Sequence, residues 1–560
     1  MIIDAFTDYT LLGSLLKPDS LAAYAKDKWP FLGIADTHAG GLLDFYLECI
    51  SNKVKPIMGL RMSVVERAEL KSLGQIMLYA KNRDGYKSLL KLYSKASLEC
   101  YSNGPNIMVD WLPEHSKNLL CVLPVGYSPN ELKTEEGIAA GKRILEIFGS
   151  DMYYGLYNRN CSIDDHWLEM AKKFNVKYLP LYGARYFKKD DLLAYRALRA
   201  ISTRSNIDKL FETVYLDESL EHVLSEDKLE PLLAKTLMEF VSKVDIKIPT
   251  PGLKVPKFKT PPEFKTSFEF LTHLCRQGYK ERKDLHSIKD KVKERMAIEM
   301  DVIRRCNLAD YFLLVYDICK YCDENGIARG LGRGSAAGSL ISYLLKITEV
   351  NSLEYGLLFE RFLNEDRTKP IVVDGVDYLT DAPDIDLDVG QMQRQQVIDF
   401  IREKYGFVSK IITYTTLSAK ACIKDCIRVF GKNENEANYI SGMIEILFGR
   451  ADGLEETFKK SEPFRVWVGQ NQHIYDVALK LEDVRKNSSI HAAGVVVSDT
   501  PIDDFAPLCL ANHSEGEEFK RDTCSAYSLD FSAKAGLLKV DILGIRSLNV
   551  LQDTIRTIRG

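Results

Sequence analysis

Short apolar runs alternate with amphipathic, helix-length stretches through the first 245 residues, as in Phe31-Leu32-Gly33-Ile34-Ala35-Asp36, Gln75-Ile76-Met77-Leu78-Tyr79-Ala80 and Tyr178-Leu179-Pro180-Leu181-Tyr182. That alternation predicts strands separated by helices, as in a βα barrel-like domain. From Ile248-Pro249-Thr250-Pro251-Gly252 to Pro261-Pro262 proline and lysine dominate. Proline removes backbone donors and breaks regular structure, so this stretch reads as a linker. Helical periodicity then runs from Phe268 to about Asn325, where Asn325-Gly326 makes a plausible stop. Leu340 to Lys346, Gln391 to Tyr405 and Leu417 to Phe430 read as further helices, and helical sequence continues to about Arg485. Two strand candidates close the chain, Ala492 to Val497 and Leu537 to Leu543. The whole predicts a multidomain α/β and α+β protein.

The most informative stretch is Pro383-Asp384-Ile385-Asp386-Leu387-Asp388. Side chains alternate along a strand, so three carboxylates would share one face about 7 Å apart while Ile385 and Leu387 bury the other. Each carboxylate raises its neighbour's pKa, and an oxygen-seeking cation such as Mg²⁺ is the natural counter-ion. An isolated Asp-x-Asp is more often just an exposed acidic edge strand, since solvated charges are common. About fifty residues upstream, however, lies Gly332-Arg333-Gly334-Ser335-Ala336-Ala337-Gly338-Ser339, whose small residues let backbone N–H groups approach phosphate oxygens. A loop of this kind opening onto a helix suits an anion, although alone it is also a common tight turn. Together the two stretches suggest metal plus triphosphate. In Leu538-Lys539-Val540-Asp541-Ile542, Lys539 and Asp541 fall on one face, so Asp541 could complete a carboxylate cluster and Lys539 meet a phosphate.

Composition adds limits. The 560 residues carry a formal charge of −4 and are 46% hydrophobic, enough for several cores and against a wholly basic nucleic-acid coat. Twelve scattered cysteines are too sparse for a disulfide framework and indicate a reduced, cytosolic protein. The pairs Cys319/Cys322 and Cys422/Cys426 lie in helical patterns with no matching second ligand pair, and read as packing thiols rather than zinc ligands. No apolar run approaches the ~20 residues of a membrane span, and Met1-Ile2-Ile3-Asp4 is no signal peptide. Lys420, Lys424 and Arg428 form an i, i+4, i+8 basic stripe, either a solvated face or a phosphate-backbone contact.

Several motifs stand in one order: Ala309-Asp310-Tyr311-Phe312-Leu313, Gly332 to Ser339, Leu358-Phe359-Glu360-Arg361-Phe362-Leu363-Asn364, Pro383 to Asp388, Ile411-Ile412-Thr413-Tyr414 through Ala419-Lys420-Ala421, His491-Ala492-Ala493-Gly494 and Lys539-Val540-Asp541-Ile542-Leu543-Gly544. On these the chain resembles the N-terminal half of family C replicative DNA polymerases, the bacterial DNA polymerase III alpha subunits. The resemblance implies a PHP-like domain over 1–245, a linker over 246–265, and a polymerase-beta-like nucleotidyltransferase palm in two parts, 266–408 and 486–560. A helical thumb over 409–485 would separate the two palm parts. It further implies a DNA-directed DNA polymerase in which Asp384, Asp386 and Asp541 are catalytic and bind two Mg²⁺, with Asp388 supporting. Arg333, Gly334, Ser335, Arg361, Arg367, Lys539 and His491 match positions near the incoming dNTP, and Lys420, Lys424 and Arg428 become DNA contacts. Primer-template DNA, a fingers-bearing polypeptide or C-terminal region, and a sliding clamp are the implied partners, in the cytoplasm of a bacterium or of a phage-infected one.

The chain departs from the family in places. Thr368 to Ala382 is longer than the usual few residues and reads as a surface loop. Ile490 stands where the family has a basic residue. In the PHP-like region Asp4-Ala5-Phe6 replaces the His-x-His of metal-binding members, Arg61 a glutamate, Gln75 a histidine, and Ala184-Arg185-Tyr186 the final Asp-x-His. A phenylalanine, an arginine and a tyrosine cannot assemble a three-metal site, so a scaffold without metal or proofreading activity is expected there. The chain stops about twenty residues after Asp541, before the position of the family's fingers. The alternative to a polymerase is a non-catalytic DNA-binding or replisome-scaffolding remnant.

Overall fold

The computed structural model describes residues 1–560 except 68–71, 103, 126–131, 133, 158–164, 212–217, 226–230, 448–449, 516–517 and 560. The chain forms two compact units. The first comprises residues 1–248, 413–489 and 507–512, and the second 249–412, 490–506 and 513–560. No described helix is long and apolar enough to cross a membrane.

In the first unit seven strands form one sheet: β1 (Phe31–Asp36), β2 (Lys55–Val65), β3 (Gly74–Ala80), β4 (Asn106–Met108), β5 (Leu119–Pro124), β6 (Met152–Leu156) and β7 (Lys177–Pro180). Their order is β1-β2-β3-β5-β6-β7, with β4 paired to β2. Every residue of β1 is buried, as expected of a strand covered on both faces. The expected barrel does not close: β1 and β7 lie at opposite ends of the sheet order among the described residues, and β3 runs antiparallel to both β2 and β5. Residues 66–73 are too few to carry a crossover helix from β2 to a parallel β3. Residues 413–489 add a second core to this unit, in which Tyr195 and Leu198 pack with Cys422, Ile427, Phe464, Trp467 and Leu481. The region is not helical throughout, because β12 (Ile446–Leu447) and β13 (Arg450–Ala451) pair antiparallel within it.

A six-stranded sheet comprises β10 (Asp386–Gly390), β11 (Phe407–Thr416), β14 (Arg485–Ser498), β15 (Leu508–Glu515), β16 (Glu518–Ser525) and β17 (Leu538–Ile545), in the order β10-β17-β14-β11-β16-β15; the second unit holds all of it except residues 413–416, 485–489 and 508–512. Helices Ser267–Glu281, Lys289–Arg305 and Ala309–Glu324 share its core, where Phe312, Leu313 and Ile318 meet Leu387, Val389, Val540 and Ile542. The expected surface loop after Arg367 is an ordered hairpin, β8 (Pro370–Val373) with β9 (Val376–Leu379). Asp374 and Gly375 at its tip have φ of 53° and 77°, the paired left-handed conformations of a two-residue turn. The proline-rich stretch contains no helix or named strand, yet it is held. Leu253 and Leu379 exchange backbone hydrogen bonds of 2.7 and 2.8 Å, Lys254 N donates to Gly536 O, and Phe258 N donates to Asp310 Oδ1. Cys319 and Cys322 in this core, like Cys422 and Cys426 in the first unit, are buried free thiols.

Candidate active site

β10 and β17 run parallel with Asp386 opposite Asp541, so two carboxylates distant in the chain stand on one face of adjacent strands, about 4.8 Å apart at the backbone. Asp541 is 8% exposed. Its Oδ2 accepts from Lys539 Nζ at 2.6 Å, while its Oδ1 is buried without a hydrogen-bond partner. Gly494 of β14 lies opposite Asp541. A Cβ there would stand 3.2 Å from both Asp541 Oδ1 and His491 Nδ1, so the bare glycine leaves the space beside that oxygen open. His491 Nδ1 accepts the N–H groups of Ala493 and Gly494, which fixes the imidazole against the same strand.

The electrostatics follow from this crowding. Burial raises the Asp386 pKa, and the charges of Asp541 and Asp384 raise it further against the pull of Lys539 and Arg333. Burial works against the Lys539 ammonium, but the hydrogen bond to Asp541 and the charges of Asp384 and Asp386 hold its pKa above the ordinary value.

Asp384 is the outlying carboxylate of the three. It precedes β10, its side chain is 75% exposed, and it reaches Lys539 Nζ only at 3.8 Å. The Tyr311 hydroxyl donates to the Pro383 carbonyl at 2.7 Å; Pro383, Ile385 and Leu387 are buried, so Asp384 keeps the expected alternation with Asp386 and Asp388 although it stands ahead of the named strand and is the most exposed of the three. Asp388 accepts from Arg333 Nε at 2.9 Å, a pairing that suits a supporting rather than a cation-holding carboxylate.

The glycine-rich stretch lies against the carboxylates. Gly334 has a φ of +65°, which favours glycine, and a Cβ there would stand 3.3 Å from Asp386 Oδ2. Residues 331–335 are exposed and Ala336 begins the buried part. One expectation fails here. The short helix Leu340–Leu344 does not offer free N–H groups, because Leu340 N and Ile341 N donate to the buried carboxylate of Glu299. Any anion is left to the exposed residues Arg333, Gly334 and Ser335.

Arg361 ends the turn Phe359–Arg361 and is exposed. Arg367 is exposed and pairs with Asp381 at 3.0 Å. In the first unit, Lys424 and Arg428 on the helix Ala419–Val429 both engage Glu434, at 3.3 and 2.5 Å, and the Arg428 hydrogen bond leads in holding the Glu434 pKa down to about 2. Two of the three stripe residues are thus paired on the surface, while Lys420 is exposed.

For Mg²⁺ the donors are of the right kind: acidic oxygens, one of them buried and unpartnered, suit a hard divalent ion. Among the described residues, though, no three acidic, histidine or cysteine side chains gather at metal-holding spacing. Asp386 and Asp541 are brought together; Asp384 stands at their edge, near enough for its charge to raise the Asp386 pKa and 3.8 Å from Lys539 Nζ. Sequence reading missed Arg394, whose Nε donates to Ile542 O at 2.7 Å and whose Nη2 donates to Ala493 O at 3.0 Å, bracing β17 and β14 behind Asp541. Burial lowers its pKa. No sequence signal marks an arginine whose partners are carbonyls.

In the first unit the positions departing from metal ligands form a different cluster. The guanidinium carbons of Arg185 and Arg61 lie 3.7 and 4.6 Å from the Phe6 ring centre, and Arg61 Nη2 bonds the Tyr157 hydroxyl. The Asp4 carboxylate accepts the N–H groups of Tyr182 and Gly183, and burial, opposed by Arg61, lifts its pKa to about 6.

Comparison with known proteins gives two family matches: the PHP domain over residues 6–158 and the bacterial DNA polymerase III alpha NTPase domain over residues 269–544. The chain is 31% identical to DNA polymerase III subunit alpha of Bacillus subtilis, across 98% of this chain and 48% of that protein. It is 30% identical to the subunit of Borreliella burgdorferi (99% and 49%) and 29% identical to that of Pseudomonas aeruginosa (98% and 47%). The chain spans about half the length of the curated relatives it matches.

Proposed function

Because this chain joins a PHP domain to a bacterial DNA polymerase III alpha domain and is homologous to the alpha subunits across its length, we propose that its second unit is the catalytic palm of a DNA-directed DNA polymerase. One observation carries the reading: the in-register pair Asp386 and Asp541, with Gly334 against Asp386 Oδ2 and a buried unpartnered oxygen of Asp541 beside Gly494. A pure scaffold has no physical need to crowd like charges in this way.

Asp386 and Asp541, joined by Asp384 once it turns inward, would hold two Mg²⁺. When bound, such a pair activates the primer 3′-hydroxyl and neutralises charge on the leaving pyrophosphate. Gly334 and Ser335 would let the incoming triphosphate approach the backbone, and Arg333, Arg361, Arg367 and Lys539 would neutralise its charge, with arginine forks meeting phosphate oxygens in pairs. Gly494 would keep the space beside Asp541 open, and His491, fixed at its edge by two backbone N–H groups, would lie near the incoming nucleotide. Lys420, Lys424 and Arg428, on a thumb-like helical region, would contact the primer-template backbone. The first unit would act as a scaffold without phosphoesterase or proofreading activity, since Phe6, Arg61 and Arg185 stand at the family's ligand positions. Primer-template DNA and dNTP would be the substrates, with a fingers-bearing polypeptide or segment and a sliding clamp as partners.

A non-catalytic DNA-binding scaffold is the second reading, favoured by the exposure of Asp384. Primer extension in Mg²⁺, with the half of the relatives' length outside this chain supplied, separates the two. Extension that is lost in Asp384→Ala supports the polymerase; extension absent from the wild-type assembly, with DNA binding retained, supports the scaffold. A metal-dependent 3′ exonuclease that survives substitution of the palm aspartates would refute the inactive first unit.

A further inference from the structure

We infer that Arg295 and Glu299, one turn apart on the helix Lys289–Arg305, clamp the glycine-serine loop and act as positioning residues for the incoming nucleotide. The inference rests on the polymerase reading above and extends it to residues outside the carboxylate cradle. Glu299 is fully buried, and each of its oxygens takes two donors. Oε1 accepts from Arg295 Nε at 2.7 Å and Leu340 N at 2.9 Å; Oε2 accepts from the Ser339 hydroxyl at 2.9 Å and Ile341 N at 3.0 Å. Arg295 completes the grip, its Nη2 donating to Gly338 O at 2.9 Å and Leu357 O at 3.0 Å.

These contacts converge on the back of the loop and on the start of the segment that leads to Arg361. Gly338 is pressed so closely onto that segment that a Cβ there would lie 2.8 Å from Leu358 O. The trailing half of the loop is therefore immobilised, and the exposed leading half, Arg333 to Ser335, projects from a rigid base towards Asp386. The same carboxylate occupies the first turn of the helix Leu340–Leu344, where an anion would otherwise compete for the N–H groups. Phosphate is thereby directed to the leading half. Glu299 is fully buried and Arg295 18% exposed, so removing the arginine is the costly way to break the pair, because it leaves the buried carboxylate without its counter-charge. Glutamine at 299 keeps the shape but presents an amide N–H₂ to donors, so one oxygen's worth of acceptors disappears.

The test uses the full chain with its primer-template and supplied partner. Glu299→Gln should raise the dNTP KM about tenfold or more, leave kcat at saturating dNTP within about threefold, and leave primer-template affinity unchanged. Amide hydrogen exchange at Leu340 and Ile341 should accelerate in the same variant. Ser339→Ala removes one of the four donors to Glu299, and should shift KM in the same direction by less, which keeps the test open if Glu299→Gln fails to fold. A folded Glu299→Gln with wild-type dNTP KM, or with unchanged exchange at both amides, overturns the inference. Equal losses in nucleotide and DNA affinity would also overturn it, by reducing the pair to general stability. A wild-type assembly that binds no dNTP would sink the polymerase reading and the clamp's role towards nucleotide with it, while faster exchange in Glu299→Gln would still mark the clamp itself.

Discussion

Two polar clusters, one in each unit, use similar residues to opposite ends. Around Phe6 the charges are spent inside the protein: Asp4 accepts backbone N–H groups, Arg185 lies over the ring, and Arg61, whose Nε makes no hydrogen bond, turns its guanidinium to the ring and to the Tyr157 hydroxyl. Around Asp541 the account is left open, with one buried oxygen unpartnered and Asp386 held above its ordinary pKa by burial and by its acidic neighbours. A cluster whose charges meet opposite charges, rings and backbone groups holds a fold together even with one N–H unpaired; one that crowds like charges round an unpartnered carboxylate oxygen costs stability and asks for a cation.

Substitutions should separate the two kinds of cluster. The largest effect is expected from Asp541→Asn or Asp386→Asn, which should lower primer-extension kcat by at least about 10³-fold. The same Asp386→Asn should raise the melting temperature in metal-free buffer, because it removes a charge that its surroundings disfavour; a fall would show that the cluster is closed after all. Next in size, Arg485→Met should destabilise the first unit by about 3–5 kcal/mol in denaturant titration, since it abandons the fully buried Asp8, which Arg485 meets at 2.6 Å. A change below about 1 kcal/mol would break the contrast from the other side.

Titration sharpens it further. The Asp4 pKa in the fold is about 6 against 3.8 for the free side chain, so the folded protein binds this proton more readily than the unfolded chain. Its contribution therefore favours folding as pH falls from about 7 through 6, becomes complete below about 4, and is lost again as pH rises through 6. Melting curves should show this component in the wild type and lack it in Asp4→Asn. The smallest effect is expected at Glu434. Glu434→Gln releases Lys424 and leaves Arg428 only its 3.5 Å pairing with Asp425, and should strengthen low-salt primer-template binding by about two- to fivefold, measured by fluorescence anisotropy; weaker binding would argue that the stripe does not face DNA.

Much of the cradle is legible from alternation alone. Period two in Lys539-Val540-Asp541 places a lysine and an acid on one face and Val540 in the core, which is how β17 stands. Asp384 obeys the same alternation, exposed between buried Pro383 and Ile385; what period two does not encode is how far it stands out from the pair, 75% exposed and ahead of the named strand. The hairpin after Arg367 carries its own signal, an Asp-Gly pair between β-branched residues, that a loop reading based on length overlooks. Barrel closure depends on whether the first and last strands pair, and no local pattern encodes that. Glu299 on an amphipathic helix looks like any solvated acid until Ser339, Leu340 and Ile341 are seen to converge on it.

The proline-rich stretch bears on how the molecule can be cut. Its backbone is stitched on one side to Leu379, in the hairpin beyond Arg367, and on the other to Gly536, just ahead of the strand that bears Asp541. A fragment begun at residue 266 would shed an edge from both neighbours and should handle poorly. One begun at 249 keeps the seam, so expression boundaries and chimeric junctions belong before these prolines rather than after them.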